Sequence, residues 1–245
     1  MIRSVVIWVF IGVIHTLIWV MVEVFVSVFS HNGRKVHFYC VVPWSKIILW
    51  ATSVRVEIDG LDRIHKDKPY IYIPNHLSFF DIFALLAYLA VDFKFIFKEE
   101  IMRVPILGWA IRKAGYISIA RSSPAKARRT FRQALDMIKN GTSLVIFAEG
   151  TRSKDGNLQP LKRGAFQLAM SSGSPIVPVA ITGSNKIMPK GSFKVRKGSI
   201  IIQLGRPIST TNYNSKTMRD LIEKVTGCLR KMLEEENRSS PSRIS

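Results

Sequence analysis

The chain has 245 residues, 47% of them hydrophobic, and its 36 Lys and Arg against 17 Asp and Glu give a formal charge of +19. That length and apolar fraction suit one compact domain with an appendage. Neither of the two cysteines, Cys40 and Cys228, has a partner at metal-ligand spacing. This argues against a disulfide framework or a zinc site and points mildly to a reducing compartment.

Residues 1–60 hold five basic and three acidic residues, leaving about +17 of the charge to the rest of the chain. Such a surface attracts polyanions, whether nucleic acid, anionic lipid or an acidic carrier protein, and charge alone does not choose among them. No recognised nucleic-acid-binding motif accompanies the basic residues, so nucleic acid is set aside.

Residues 5–22 are almost wholly apolar, and the run continues through Glu23 to Phe29. This is long enough to cross a bilayer, too long for the apolar part of a signal peptide, and lacks a small-x-small cleavage site. His15 and Glu23 are unusual for a lipid-exposed span. After Asn32-Gly33 and Arg34-Lys35, a second apolar run extends from His37 to Trp50. The pair reads as an N-terminal hydrophobic two-helix membrane motif, either spanning twice or lying as a hairpin in one leaflet. Trp8, Trp19, Trp44 and Trp50 serve as interfacial anchors in both versions.

From residue 54 the period changes. Val54 to Ile58 alternates like a half-buried strand and turns at Asp59-Gly60. Tyr70 to Ile73 is a short β-branched and aromatic run that ends at Pro74 and delivers Asn75 and His76. Ser78 then opens a helical run, Ile82 to Leu89, with Asp81 in its first turn. On a continuous helix an offset of five residues would separate His76 and Asp81 by about 140°. They meet only if His76 precedes the helix and folds back over it, which is the geometry of an imidazole oriented by a carboxylate. The bland alternative is a capping box, Ser78-x-x-Asp81, in which the acid only satisfies backbone amides.

Further strands are expected at Phe93 to Phe97, ending at Lys98, and at Tyr116 to Ile119, ending at Arg121, with a short helix from Ile106 to Lys113 between them. Ser123-Pro124 is an N-cap followed by proline at the first helical position, and Asn140-Gly141 stops that helix. Ser143 to Phe147 is a buried-type strand emptying into Glu149-Gly150-Thr151-Arg152. A helix from Ala165 to Ser171, a strand from Ile176 to Ile181, a hairpin of Ser192–Arg196 with Ser199–Leu204, and a final helix from about Ser215 to Glu236 complete the pattern. The alternation predicts an α/β fold, a central mostly parallel or mixed sheet flanked by helices. The expected division is a membrane anchor over 1–53, a catalytic domain over 54–237 and a disordered tail over 238–245.

The polar clusters at His76/Asp81, Lys98, Arg121 and Glu149–Arg152 all fall at strand ends, where open α/β sheets bind ligands. Glu149-Gly150-Thr151-Arg152 offers a closely approachable backbone, a hydroxyl and a guanidinium, which are phosphate-binding parts.

Asn75-His76 with Asp81, Gly115 to Arg121, Phe147 to Ser153 and Ile176 to Ile181 resemble, in order, the four blocks of the glycerolipid acyltransferases, and within them the bacterial 1-acyl-glycerol-3-phosphate acyltransferases. The resemblance covers about residues 54–210. It implies that His76 takes the proton from the free hydroxyl of lysophosphatidic acid while Asp81 orients the imidazole. The hydroxyl then attacks an acyl thioester, on acyl carrier protein or coenzyme A, without a covalent acyl-enzyme. It further implies acceptor binding by Arg121, Glu149, Gly150, Thr151 and Arg152, assisted by Lys98, with Arg121 and Arg152 on the phosphate.

Pro178 falls in the fourth block, whose role is structural or acyl-related. No metal or organic cofactor is implied, and the absence of a G-x-S-x-G elbow argues against a serine-hydrolase route. The implied setting is the inner membrane with the site facing the cytoplasm, beside an anionic lipid surface. Ala148 stands where the family usually has proline, which would fix φ. The competing readings are another lyso-lipid acceptor and a non-catalytic membrane adaptor.

Overall fold

The computed structural model describes residues 4, 6–29, 33–104, 107–119 and 123–239. Helix α1 opens with π-helical turns, Ile7–His15, and continues as Thr16–Phe29. Helix α2 joins Gly33–Val36, a π-helical piece His37–Val41 and Val42–Thr52, and stops at Ser53 in the left-handed conformation. Then follow β1 (Val54–Asp59), β2 (Ile71–Pro74), α3 (Phe80–Tyr88), β3 (Phe93–Lys98), α4 (Leu107–Lys113), β4 (Ile117–Ile119) and α5 (Pro124–Lys139). The chain continues through β5 (Ser143–Val145), α6 (Arg163–Ser172), β6 (Ile176–Thr182), α7 (Ser184–Ile187), β7 (Gly198–Leu204) and α8 (Met218–Ser239).

The strands form one sheet in the order β1-β7-β6-β2-β5-β3-β4. Neighbours are parallel except β6 and β7, so the sheet is mixed. The C-terminal ends of β2, β5, β3 and β4 therefore lie along one edge. Alternate strand residues feed opposite faces, as the two-residue period requires. Tyr72, Val145, Val177 and Val179 enter the core under α1, α2 and α3, whereas Ile71, Ile73, Leu144 and Ile176 enter the core under α5, α6 and α8.

Ser123 caps α5 as its sequence indicates, its side chain accepting from Lys126 N at 3.4 Å. The expected 192–204 hairpin does not form. Only its second arm is a strand, pairing with β6 and β1. Residues 192–197 spend their amides elsewhere: Arg196 N donates to Ile187 O (3.0 Å), Val195 N to Ser4 Oγ (3.2 Å) and Lys194 N to Ser192 Oγ (3.0 Å). The final helix also runs past Glu236 to Ser239.

Among the described residues, only Ile7–Val26 is long and apolar enough to cross a membrane. Helix α2 carries Arg34, Lys35 and Lys46, so the two-helix expectation narrows to one helix of that character. The outward face of α1 leaves Phe10, Val13, Ile18, Met21 and Phe25 exposed. Its two unusual polar residues turn inward. His15 Nε2 lies 3.2 Å from Trp44 O, and Glu23 is buried.

Candidate active site

β2 ends at Pro74 between β5 and β6, and the next seven residues build the centre of the site. Asn75 has both ends of its amide on β6: Nδ2 donates to Ile181 O (2.9 Å) and Oδ1 accepts from Ile181 N (2.7 Å). This pins the strand end and fixes where His76 leaves it. The chain then folds back over the first turn of α3, bringing His76 Nδ1 to 2.9 Å from Asp81 Oδ2. The same oxygen accepts from Leu77 N (2.7 Å) and Ser78 N (2.9 Å). Orientation and capping thus coexist on one atom of a fully buried carboxylate, whose Oδ1 has no hydrogen-bond partner among the described residues. Ser78 Oγ accepts from Phe80 N (3.2 Å) and donates to Met188 O (2.7 Å), tying the helix start to the segment after α7.

Glu149 lies across from this turn and is buried. Its Oε1 accepts from His76 N (2.7 Å) and its Oε2 from Gln159 N (3.0 Å). Burial pushes the carboxyl up to about 7, and the two amides pull against that shift. Ser153 N donates to His76 O at 2.7 Å, so the His76 peptide is held on both sides by the loop after β5. Glu149 clamps two loops, each of its oxygens accepting from a backbone amide. Phe147 accepts from Gly150 N at its carbonyl (2.9 Å), closing a turn with Ala148 at its second position; Gly150 takes φ 73°, which favours glycine. The turn thus forms without the proline.

The remaining expected residues divide. Thr151 is exposed, and Arg152 is half-buried with its guanidinium carbon 3.9 Å from the centre of the Phe79 ring. Partial burial pulls the guanidinium below its usual range, opposed by the Asp81 charge. Lys98 is the last residue of β3, a parallel neighbour of β5, and so ends at the same sheet edge. Arg121 lies outside the described residues.

Two contributors were missed in the sequence. Phe147 stacks on the His76 ring (3.9 Å, 23°) and also on Phe95 (5.8 Å, 7°), which sets the plane of the imidazole. Phe147 lies just past β5, whose parallel neighbour β3 carries Phe95, and the stack joins residues 52 positions apart that no local pattern links. Lys190 donates to Thr151 Oγ1 (3.0 Å) and Arg152 O (2.7 Å), bracing the loop from the far side; a lone lysine in a loop gives no such pattern.

Beside the site, an apolar cavity of about 500 Å³ lies between α1 and α2 on one side and α3 and α4 on the other, lined by Trp44, Phe79, Phe80, Phe83, Ile111 and Tyr116 among others. Chemically, a His76 that donates Nδ1–H to Asp81 keeps its lone pair on Nε2, ready to accept a proton. Among the described residues, no group of three or more His, Cys, Asp or Glu could hold a metal ion.

Comparison with known proteins gives a consistent result. A family profile described as Acyltransferase matches residues 55–182. A chloroplastic 1-acyl-sn-glycerol-3-phosphate acyltransferase of Brassica napus is 37% identical over 194 residues, 78% of this chain and 55% of its own length. One from Saccharomyces cerevisiae is 32% identical over 199 residues, 80% of this chain and 64% of its own length. The chain thus spans just over half the length of the first of these relatives. The crystal structure of the lysophosphatidic acid acyltransferase PlsC from Thermotoga maritima superposes with a TM-score of 0.83 at 26% identity, covering 96% of this chain and 95% of that one.

Proposed function

This chain belongs to the acyltransferase family, and from that premise we propose that it transfers a fatty acyl group from an acyl thioester to the sn-2 hydroxyl of lysophosphatidic acid. The product is phosphatidic acid. The observation that carries the reading is the His76 Nδ1–Asp81 Oδ2 hydrogen bond at the end of β2, between a cationic loop and an apolar cavity. A phosphate and an acyl chain need those two neighbours.

His76 Nε2 takes the hydroxyl proton as the oxygen attacks the thioester carbonyl. Asp81, holding Nδ1, stabilises the imidazolium that results. The tetrahedral intermediate collapses with loss of the thiolate, which recovers the proton from His76. No acyl-enzyme is required. Arg152, the Gly150 backbone and the Thr151 hydroxyl bind the acceptor phosphate, with Lys98 and Arg121 supplying further charge from neighbouring strand ends. Glu149 acts through the two loops it clamps. The apolar cavity takes an acyl chain, and the donor is an acyl carrier protein or coenzyme A thioester.

The outward apolar face of α1 supports a membrane location, where an amphipathic acceptor presents its hydroxyl. The curated relatives named above are plant and fungal, so the bacterial inner-membrane, cytoplasm-facing setting rests on the motif resemblance alone.

Purified protein is expected to acylate lysophosphatidic acid and to turn over a phosphate-free lyso-lipid far more slowly. Substituting His76→Ala is expected to remove about 10²–10⁴-fold of the rate. Near-normal activity in that variant sinks the mechanism, and equal turnover of the phosphate-free lipid sinks the acceptor. Binding of lipid with no transfer at all would instead favour the non-catalytic adaptor.

A further inference from the structure

The segment between α7 and β7 presents an aromatic ring to solvent from a well-held backbone. Phe193 is 78% exposed. Its own backbone is not loose: Ser192 N donates to Pro189 O (3.1 Å), Arg196 N to Ile187 O (3.0 Å), and Val195 is buried with its N–H on Ser4 Oγ (3.2 Å). Trp8 at the start of α1 donates from its indole nitrogen to Phe193 O at 2.7 Å, and the two rings meet edge to face with centroids 6.3 Å apart. The exposed ring therefore sits against the start of α1, where Val6, Val9 and Phe10 are also exposed apolar side chains. Lys194, Arg196 and Lys197 flank it, all exposed. No ion pair is recorded for these three cations among the described residues.

An apolar tip with cations around it, beside the start of an exposed apolar helix, suits the boundary between headgroups and acyl chains of an anionic bilayer. An acidic protein partner would use the cations but leaves the placement of Phe193 against α1 without a purpose. We propose that residues 189–197 form a second membrane contact, in which Phe193 enters the interface and Lys194, Arg196 and Lys197 hold anionic headgroups. The same segment carries Lys190, whose ammonium braces Thr151 and Arg152. The loop that touches lipid is thus the one that supports the phosphate-binding loop. This inference rests on the membrane reading of α1 given above.

The test places a nitroxide label on single cysteines in a Cys228→Ser background, Cys40 being buried. The positions are Phe193→Cys on the loop, Met21→Cys on the exposed face of α1 and Lys224→Cys on the far helix α8. Each protein is reconstituted in phosphatidylcholine vesicles with and without phosphatidylglycerol. Collisions with oxygen and with a water-soluble nickel chelate then report depth. Positions 21 and 193 are expected to favour oxygen and position 224 the nickel chelate, with protection at 193 falling several-fold in neutral vesicles or in the K194Q/R196Q/K197Q variant. A label at 193 as open to nickel as one at 224, with 21 protected, overturns the inference and leaves the membrane reading of α1 standing; this is also what a soluble acidic partner would give. Labels at 21 and 193 that are both aqueous overturn the two together. Equal protection at 193 in neutral and anionic vesicles overturns the role given to the cations.

Discussion

The two faces of the sheet are finished differently. Under α5, α6 and α8 the packing is closed: Phe166, Leu221, Val225 and Leu229 are fully buried, and the outer surfaces of α5 and α8 are largely charged. Under α1, α2 and α3 the strands are just as buried, yet a cavity of about 500 Å³ remains, and the outermost helix is apolar on both sides. One face is completed by water, and the other is shaped for something apolar. The site lies at the strand ends where the two faces meet, and there the burial is polar: Asn75, Asp81 and Glu149 are all buried and all accept from backbone amides. An apolar cavity beside a polar cradle requires the cradle to be stiff, because the cavity wall contributes little to holding it.

The contrast is easiest to break by deleting rings on each face. Removing the Phe166 ring from the closed face is expected to cost about 3–5 kcal/mol of stability. Removing Phe83, half-buried against the cavity, is expected to cost less than about half as much. Thermal unfolding in one detergent measures both, and equal losses would mean that the two faces are packed alike. At the seam, Asn75→Ala leaves the Ile181 N–H and C=O without partners, each costing about 1–3 kcal/mol. A loss under 1 kcal/mol would show that the strand end is not held as argued.

Glu149 sharpens the point through pH. Its folded-state carboxyl is raised from 4.5 to about 7 by burial. For a raised group the stabilising contribution is complete below the unfolded value and is lost as pH rises through the folded one. Wild type is therefore expected to lose stability relative to Glu149→Gln between pH 4.5 and about 7. A melting-temperature difference that stays flat across that window would contradict the burial argument. The smallest effect is Ala148→Pro. Ala148 occupies the second position of the 147–150 turn with φ not positive, and proline there is expected to add about 0.4–1 kcal/mol. A destabilised variant would mean that the turn needs the Ala148 amide.

Much of this arrangement can be read from local patterns. Short apolar, β-branched or alternating runs mark all seven strands at nearly their observed positions. Ser123-Pro124 marks the start of α5, and the five-residue offset from His76 to Asp81 requires a chain that folds back, which is how the two side chains reach each other. What escapes is non-local. The 192–204 hairpin has the right alternation, but the amides of its first arm go to Ile187 and Ser4, partners that periodicity cannot see. The hold of Glu149 on the amides of residues 76 and 159 joins positions 73 and 10 residues away, which the Glu149–Arg152 motif does not reveal. Lys190 and Phe147 gain meaning only from what lies across the sheet edge. The double use of Asp81 was open to sequence reasoning, but its concentration on one oxygen was not.

Sheet order also has a consequence for the sequence of events during synthesis. Helix α1 leaves the ribosome before any strand of the sheet, and its apolar face exists as soon as it is made. The His76 amide waits for Glu149, 73 residues later, and Asn75 waits for Ile181, 106 residues later. Such long separations make sheet closure slow relative to helix formation. The nascent chain is thus sticky long before it is competent. Any early capture of that apolar face would hold the unfinished sheet at one end while the strands that complete the histidine's surroundings are still being added.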